Sequence, residues 1–397
     1  MSGRGLTATS GRDLFGQPRR VSRGAALTLV FAGVLVTGAA TGSFPEPDAT
    51  ARRSVAGPAP TATGHEDVQK AAAEAMADGK SPMEAAERAV SRSGDRWGAV
   101  YSEGQYQEFQ EALDGRYTGV GLWARRERDG RIEVTRVQPG SPAAAAGIRK
   151  GDRLRSVDGS KVDGQPVTEV VSLLRGDADD AAAGTPVTLG LQRGTRAWTE
   201  TLHRASLSTD SVTVRRLPGG VTVIRIAAFT KGSGAAVRAA VRQAPADDGI
   251  VLDLRGNSGG LVTEAVDTAS AFLDGGLVAT YDVKGAQRSL HAAPGGDTAR
   301  PLVTLVDGGT MSAAEMLTGA LQDRGRAVVI GSRTFGKGSI QMPTTLPDGS
   351  VAELTVGHYR TPSGHAVDGR GITPDLDGGP QALTRAETVL TGLGDAS

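Results

Sequence analysis

A serine and a lysine 25 positions apart carry the most legible chemistry in this chain. Ser312 lies in Gly308-Gly309-Thr310-Met311-Ser312-Ala313-Ala314-Glu315, between an apolar run and a stretch with helical spacing. Lys337 lies between glycines in Thr334-Phe335-Gly336-Lys337-Gly338, after the next apolar run. A serine hydroxyl becomes a useful nucleophile when an adjacent base takes its proton, and a neutral lysine can be that base. The reference pKa of lysine is about 10.4, so the site must disfavour the ammonium form. Burial in an apolar, water-poor cleft does so. Phe335 and Ile340 suit such a cleft, and Gln341 could orient the amine through its side-chain oxygen. Of the 44 basic residues only seven are lysine. Arginine cannot act as a base, so a lysine kept between glycines points to its titratable amine. The competing reading of Ser312 is structural: Ser312-Ala313-Ala314-Glu315 has the spacing of a helix capping box.

Acyl transfer also needs donors aimed at the developing oxyanion. The Ala313 N–H, at the start of the helix that Ser312 opens, is one candidate, aided by the helix dipole. The second comes from Asp253-Leu254-Arg255-Gly256-Asn257-Ser258-Gly259-Gly260, where an apolar strand runs into glycines and either Gly259 or Gly260 can offer an N–H. No metal or cofactor is implied, since His65, His203, His291, His358 and His365 lack zinc-type spacing. Cysteine is absent, which removes disulfides and a thiol nucleophile. The net charge is zero, and no basic stripe argues for nucleic acid.

Positioning these residues requires a sheet with strand ends on one side. From about Ser206 the chain alternates strands (221–226, 250–254, 302–306, 327–330) with helices (234–242, 262–272, 312–322), the βαβ rhythm of a sheet covered by helices. Upstream, residues 117–205 read as short strands with a helix-like stretch at 167–174, and 67–116 as a small helical region. There Tyr101, Tyr106 and Phe109 are expected to pack against the next domain. Residues 381–397 read as a closing helix and tail. At the N-terminus, arginines up to Arg23 precede an uncharged stretch, Gly24–Phe44. That pattern is a signal peptide or signal anchor within residues 1–44, followed by a Pro/Ala/Thr-rich linker at 45–66. The body of the protein is then expected outside the cytoplasm, secreted or held at the membrane by that segment. The fold class is thus a multidomain mixture of α+β and α/β parts. With 39% hydrophobic and 22% charged residues, it has enough apolar material for such cores.

Two resemblances give these elements a context. Ser141-Pro142-Ala143, Ala146-Gly147-Ile148, Gly151-Asp152 and Val157-Asp158-Gly159 resemble a bacterial PDZ domain. Such a domain adds an extended peptide to a sheet edge and captures its terminal carboxylate on backbone N–H groups; Gly119, Val120 and Gly121 are the expected cradle. The wider set of blocks (Tyr117–Gly121, Ser141–Gly159, Leu252–Gly260, Gly309–Glu315, Gln322–Gly325, Thr334–Gln341 and Tyr359–Asp375) is similar to the C-terminal processing peptidases, or tail-specific proteases. That resemblance implies a crotonase/Clp-like βαβ peptidase core at 206–380. It implies Ser312 as nucleophile, Lys337 as base, Gln341 as the supporting residue, and an oxyanion hole from Ala313 with Gly259 or Gly260. It also implies protein or peptide substrates with a free C-terminus, and a PDZ module that can gate the active site, with Arg175 as a residue to examine. Met311 departs from the smaller residues usual there. A homo-oligomer is left open. Two alternatives stand beside this reading. One is a non-catalytic PDZ scaffold of the cell envelope. The other is an HtrA-type protease using Ser258, which lacks the upstream His and Asp loops and the order of domains that it needs.

Overall fold

The computed structural model describes residues 63–176, 182–283 and 286–394. The signal segment expected at 1–44 lies outside them, and the linker expected at 45–66 is described only from Thr63, where it is already helical. Helices α1 (Thr63–Ala77) and α2 (Pro82–Ser93) form a hairpin. The Ser81 hydroxyl accepts the Glu84 N–H at 3.3 Å and Pro82 occupies the first turn of α2, both favourable at a helix start. A three-residue strand, β1 (Ala99–Tyr101), and α3 (Glu103–Leu113) follow.

This region was expected to dock on the module after it. Its α3 does meet that module, the Thr118 hydroxyl donating to the Glu111 carboxylate at 3.4 Å; in addition β1 pairs antiparallel with the distant strand Val351–Arg360, Ala99 lying opposite Glu353. Val68, Ala72, Ala86, Ala89 and Val90 are buried with Leu346, Ala352 and Leu354. The three aromatic rings pack on one another, Tyr101 stacking on Phe109 at 5.6 Å. The physical reason is the unpaired edge of that distant strand, which β1 completes with backbone hydrogen bonds.

The next module is bracketed by a two-stranded ribbon, β2 (Arg116–Gly119) with β9 (Ala205–Ser208). Between them lie β3 (Leu122–Arg126), β4 (Ile132–Val137), α4 (Pro142–Ala145), β5 (Arg153–Val157), β6 (Ser160–Lys161), α5 (Val167–Arg175), β7 (Pro186–Arg193) and β8 (Arg196–His203). The sheet order is β3-β4-β5-β7-β8, with β6 against β5, so β3 is an edge. Its core holds Ile132, Val134, Leu154, Val157, Val170, Val187, Leu189 and Leu191; along β4 and β7 these alternate as a one-sided sheet requires, whereas Leu154 and Val157 of β5 are offset by a bulge.

The C-terminal part contains β10 (Val212–Leu217), β11 (Val221–Ile226), α6 (Ser233–Gln243), β12 (Gly249–Asp253), α7 (Val262–Ala269), β13 (Leu277–Val283), β14 (Ala286–His291), β15 (Leu302–Val306), α8 (Ala313–Asp323), β16 (Val328–Gly331), β17 (Ser339–Thr345), β18 (Val351–Arg360), β19 (Leu376–Asp377) and α9 (Ala382–Gly394). The main sheet runs β10-β11-β12-β15-β16-β19, parallel from β11 onward. Because the order advances in one direction and such crossovers are right-handed, α6, α7 and α8 fall on one face. Ile224, Ile226, Ile250, Leu252 and Leu302 pack there. Their alternates Val221, Val223, Val251, Val303 and Leu305 pack on the other face against Ala382, Ala386 and Leu390 of α9. A second sheet, β1-β18-β13-β14 with β17 also on β18, stands beside it.

Candidate active site

The loops after the adjacent parallel strands β12 and β15 emerge side by side at the carboxyl end of the sheet, the usual location of a site in such folds. They are stitched together. Asp307 Oδ1 accepts the N–H of Gly256 (2.8 Å) and of Gly309 (2.9 Å). The Met311 N–H donates to the Asn257 carbonyl at 2.8 Å, and the Thr310 hydroxyl to the Leu254 carbonyl at 2.9 Å. Asn257, fully buried, donates its amide to the Ile226 carbonyl at 3.0 Å. At the base of the β12 loop, burial pushes the Asp253 carboxyl up, but hydrogen bonds from Arg255 and the nearby Arg225 outweigh it and hold the group below its usual range.

Ser312 sits on the sharp turn between this loop and α8, at φ 54° and ψ −119°. Asp158 is the only other non-glycine at positive φ among the described residues. A conformation of this kind costs about 1–3 kcal/mol and persists where the surroundings hold it. It is the geometry of a strand-to-helix nucleophile turn, in which the serine is lifted out of the backbone run. The Glu315 half of the capping box is present: its carboxylate accepts the Ser312 N–H at 2.9 Å. Capping and a nucleophile's position are therefore compatible at this serine.

Gly259 and Gly260 lie against it. A Cβ on Gly259 would come within 2.9 Å of Ser312 Cβ, and one on Gly260 within 2.3 Å of the Phe229 carbonyl oxygen; their φ values are +97° and +127°. Only glycine fits such positions without strain. Their surroundings differ. The Gly259 N–H donates to Asn257 Oδ1 at 2.8 Å, whereas Gly260 lines with Ser312 and Ala313 a cavity of about 300 Å³. Ser258 lines the same cavity, but among the described residues no hydrogen bond joins it to a histidine.

Lys337 enters this cavity from the loop before β17. Burial pushes its amine below the usual lysine range, against the pull of Glu353, Asp95 and Glu315, whose charges favour the ammonium form. The expected apolar neighbours divide. Ile340 is packed against the core, whereas Phe335 is 46% exposed, its ring resting against Trp97 at 5.6 Å. Trp97 supplies the cover that Phe335 was expected to give, with the Lys337 amine 5.4 Å from its ring centroid. Gln341 follows a β-bulge between Ile340 and Gln341, an irregularity that re-aims side chains, and it lines the cavity. Its amide donates to the Ser339 hydroxyl at 3.2 Å and toward the Trp97 carbonyl at 3.5 Å. Among the described residues the Lys337 amine is hydrogen-bonded neither to Gln341 nor to the Ser312 hydroxyl. Glu353, whose carboxyl burial pushes up against the opposing influence of Lys337, forms another part of the wall. Sequence reasoning missed Trp97, Glu353, Asp307 and Asn257. Of these only Asp307, ending an apolar strand ahead of Gly-Gly, had a local signal, that of a turn-forming Asp.

A second, smaller cavity of about 50 Å³ lies in the upstream module, lined by Gly119, Val120, Gly121, Leu122 and Trp123 on one side and Val171, Leu174 and Arg175 of α5 on the other. Gly121 is required there: its φ is +79°, and a Cβ would lie 2.2 Å from Ser141 Cβ. The Val120 carbonyl accepts from the Ala143 N–H (2.9 Å) and the Gly121 carbonyl from the Gln138 N–H (2.8 Å), which holds the turn against the Ser141 cap. Tyr117, Thr118 and Arg175 line both cavities. Burial pulls the Arg175 guanidinium down from its usual range, countered by the facing Glu108 and Tyr117.

Comparison with known proteins meets this geometry from outside. The profile of peptidase family S41 matches residues 220–377, and that of the PDZ domain residues 133–193. "Carboxyl-terminal-processing peptidase 3, chloroplastic" of Arabidopsis thaliana is 35% identical over 307 residues, which are 72% of this chain and 58% of that protein. "Probable CtpA-like serine protease" of Staphylococcus aureus is 36% identical over 292 residues, 71% of this chain and 57% of that one. A solved structure from Bacteroides fragilis assigned to the S41 proteases shares the fold, with a TM-score of 0.53 at 19% identity over 79% of this chain and 91% of that one. The chain belongs to peptidase family S41 and carries a PDZ domain. It spans less than two thirds of the length of the two curated relatives.

Proposed function

We propose that the protein is an exported serine endopeptidase that takes protein substrates by their C-terminal tails. Ser312 attacks the scissile carbonyl as Lys337 removes its proton. The Ala313 and Gly260 N–H groups receive the oxyanion, and Lys337 passes the proton to the leaving amine. Water then hydrolyses the acyl-enzyme, with Lys337 again as base. The observation that carries this reading is one cavity holding a serine at positive φ, a lysine whose amine burial has pushed down, and a glycine-rich strand end. On this reading the Ser312–Lys337 hydrogen bond forms when substrate arrives, since catalytic contacts are commonly long or unaligned before that. Gln341, one bulge away, is assigned to orient the amine at that stage.

The substrate's tail is assigned to the edge of β3 beside α5, its carboxylate to the Gly119–Gly121 turn. Tyr117, Thr118 and Arg175, shared by both cavities, would let occupancy of this groove reach the dyad. Export is assigned to the Arg-flanked apolar segment 24–44, and the membrane to that segment if it is retained. Ser312→Ala and Lys337→Ala are each expected to abolish cleavage of an unfolded protein by the purified chain; unchanged cleavage in either removes that residue from the dyad. Amidating a peptide's C-terminus is expected to weaken its binding, and equal affinity would remove the carboxylate from the recognition scheme.

A further inference from the structure

Ser312 and Lys337 come from different elements, and the Ser312 backbone is strained, so something must fix their separation. The hydrogen bonds around both backbones converge on two side chains. Glu315 Oε2 accepts the Ser312 N–H at 2.9 Å and the Lys337 N–H at 2.8 Å. Its other oxygen accepts the Gly336 N–H at 2.7 Å and the Thr334 hydroxyl. The Thr334 hydroxyl oxygen itself receives the Ile372 N–H at 2.7 Å, which commits its own proton to Glu315. On the carbonyl side, the Tyr359 hydroxyl reaches the Ser312 carbonyl at 2.9 Å and the Lys337 carbonyl at 3.2 Å, sharing one proton between them. Glu315 is fully buried and Tyr359 nearly so.

We propose that Glu315 and Tyr359 are positioning residues that form a two-sided clamp on the dyad, one binding both N–H groups and the other both carbonyls of Ser312 and Lys337. The inference rests on the Ser312–Lys337 reading above. Neither side chain takes part in proton transfer; they set where the hydroxyl and the amine can be. Four donors directed at two carboxylate oxygens leave no room for a proton on Glu315, although burial pushes its carboxyl up. Burial likewise pushes the Tyr359 phenol far above its ordinary value, so it stays a donor across the working range. The arrangement also explains why a serine with capping-box spacing can be a nucleophile. The Glu315 carboxylate that would only finish a helix here reaches on to the backbone of the base.

The test uses the full chain with Tyr359→Phe, which keeps the ring and deletes the bridging oxygen, and with Glu315→Gln, which presents an amide N–H₂ to groups that are themselves donors. Cleavage of an unfolded protein and covalent labelling of the serine by a fluorophosphonate are followed together, with Ser312→Ala as control. In Tyr359→Phe, kcat is expected to fall roughly 10- to 100-fold with KM little changed, the size of effect that a shift of about 1 Å produces. The labelling rate should fall in parallel while its final extent stays complete. If Tyr359→Phe keeps the wild-type kcat and labelling rate, or loses extent without losing rate, the clamp is wrong, and a failure of Glu315→Gln to fold does not rescue it. Cleavage or labelling that survives in Ser312→Ala would instead overturn the dyad itself.

Discussion

The two sides of the cavity that holds Ser312 and Lys337 are built differently. On the serine side the positioning is local, with short side chains of the two loops gripping neighbouring backbone. The loops after β12 and β15 are tied to each other by Asp307, Asn257 and Thr310, and glycines allow them to approach within van der Waals distance. On the lysine side, side chains from remote elements do it. Trp97 comes from the turn before β1 and Glu353 from β18. The first construction is local and stiff, so a small change there should do discrete damage. The second is a tuned environment, so a change there should shift a titration.

The sharpest way to break this contrast is at Gly260. Gly260→Ala places a Cβ 2.3 Å from the Phe229 carbonyl oxygen at a φ of +127° and displaces the assigned oxyanion donor. Activity should fall by about 10²–10³, the usual loss for such a donor, and calorimetry should show a lower Tm. A benign substitution would mean that the serine side is softer than its hydrogen bonds suggest.

A smaller effect is expected from Trp97→Ala. It admits water to the Lys337 amine, and although the loss of a cation–π contact favours the neutral form, relief of burial, the largest influence on this amine, dominates. As the proposed base, Lys337 works neutral, so the rate should rise with pH as the ammonium deprotonates. Raising the amine's pKa therefore moves the acid limb of the kcat profile to higher pH and lowers activity at neutral pH. An unmoved limb would show that the N-terminal segment does not tune the base.

The smallest effect is expected from Glu353→Gln. Lys337 is faced by Glu353 on β18, Asp95 before β1 and Glu315 on α8, all favouring the charged form. Removing one negative charge lowers the amine's pKa, so the acid limb moves to lower pH, opposite to the shift in Trp97→Ala. A shift in the same direction in both variants would break the electrostatic account of this wall.

The same contrast explains what could be read from the sequence. Ser312, its glycines and its helix start occupy a few consecutive residues, and the strands 250–254 and 302–306 announce themselves as apolar runs, so local pattern suffices. Gly259 and Gly260 were indistinguishable there, because Asn257 selects between them only once its side chain is placed. The lysine side was legible only as Lys337 and Gln341. Phe335 is near Lys337 in sequence yet turns outward, while Trp97 and Glu353 reach the amine only after β1 pairs with β18. A three-residue strand has no period to detect. Tyr359 belonged to a recognisable block, but its role depends on two carbonyls that no spacing reveals.

Pairing of β1 with β18 joins residues near opposite ends of the described chain, Ala99 with Glu353. Contacts so distant in sequence close a large loop and form slowly. A chain made from its N-terminus would acquire the serine turn well before the amine had either its aromatic cover or its acidic wall. Tyr359, which bridges the Ser312 and Lys337 carbonyls, would be among the last parts to arrive. Partly synthesised chains would therefore lack the surroundings proposed to make Lys337 a base, and competence would appear only when β1 and β18 come together. That order of assembly would spare neighbouring proteins, and the nascent chain itself, from an enzyme still being made.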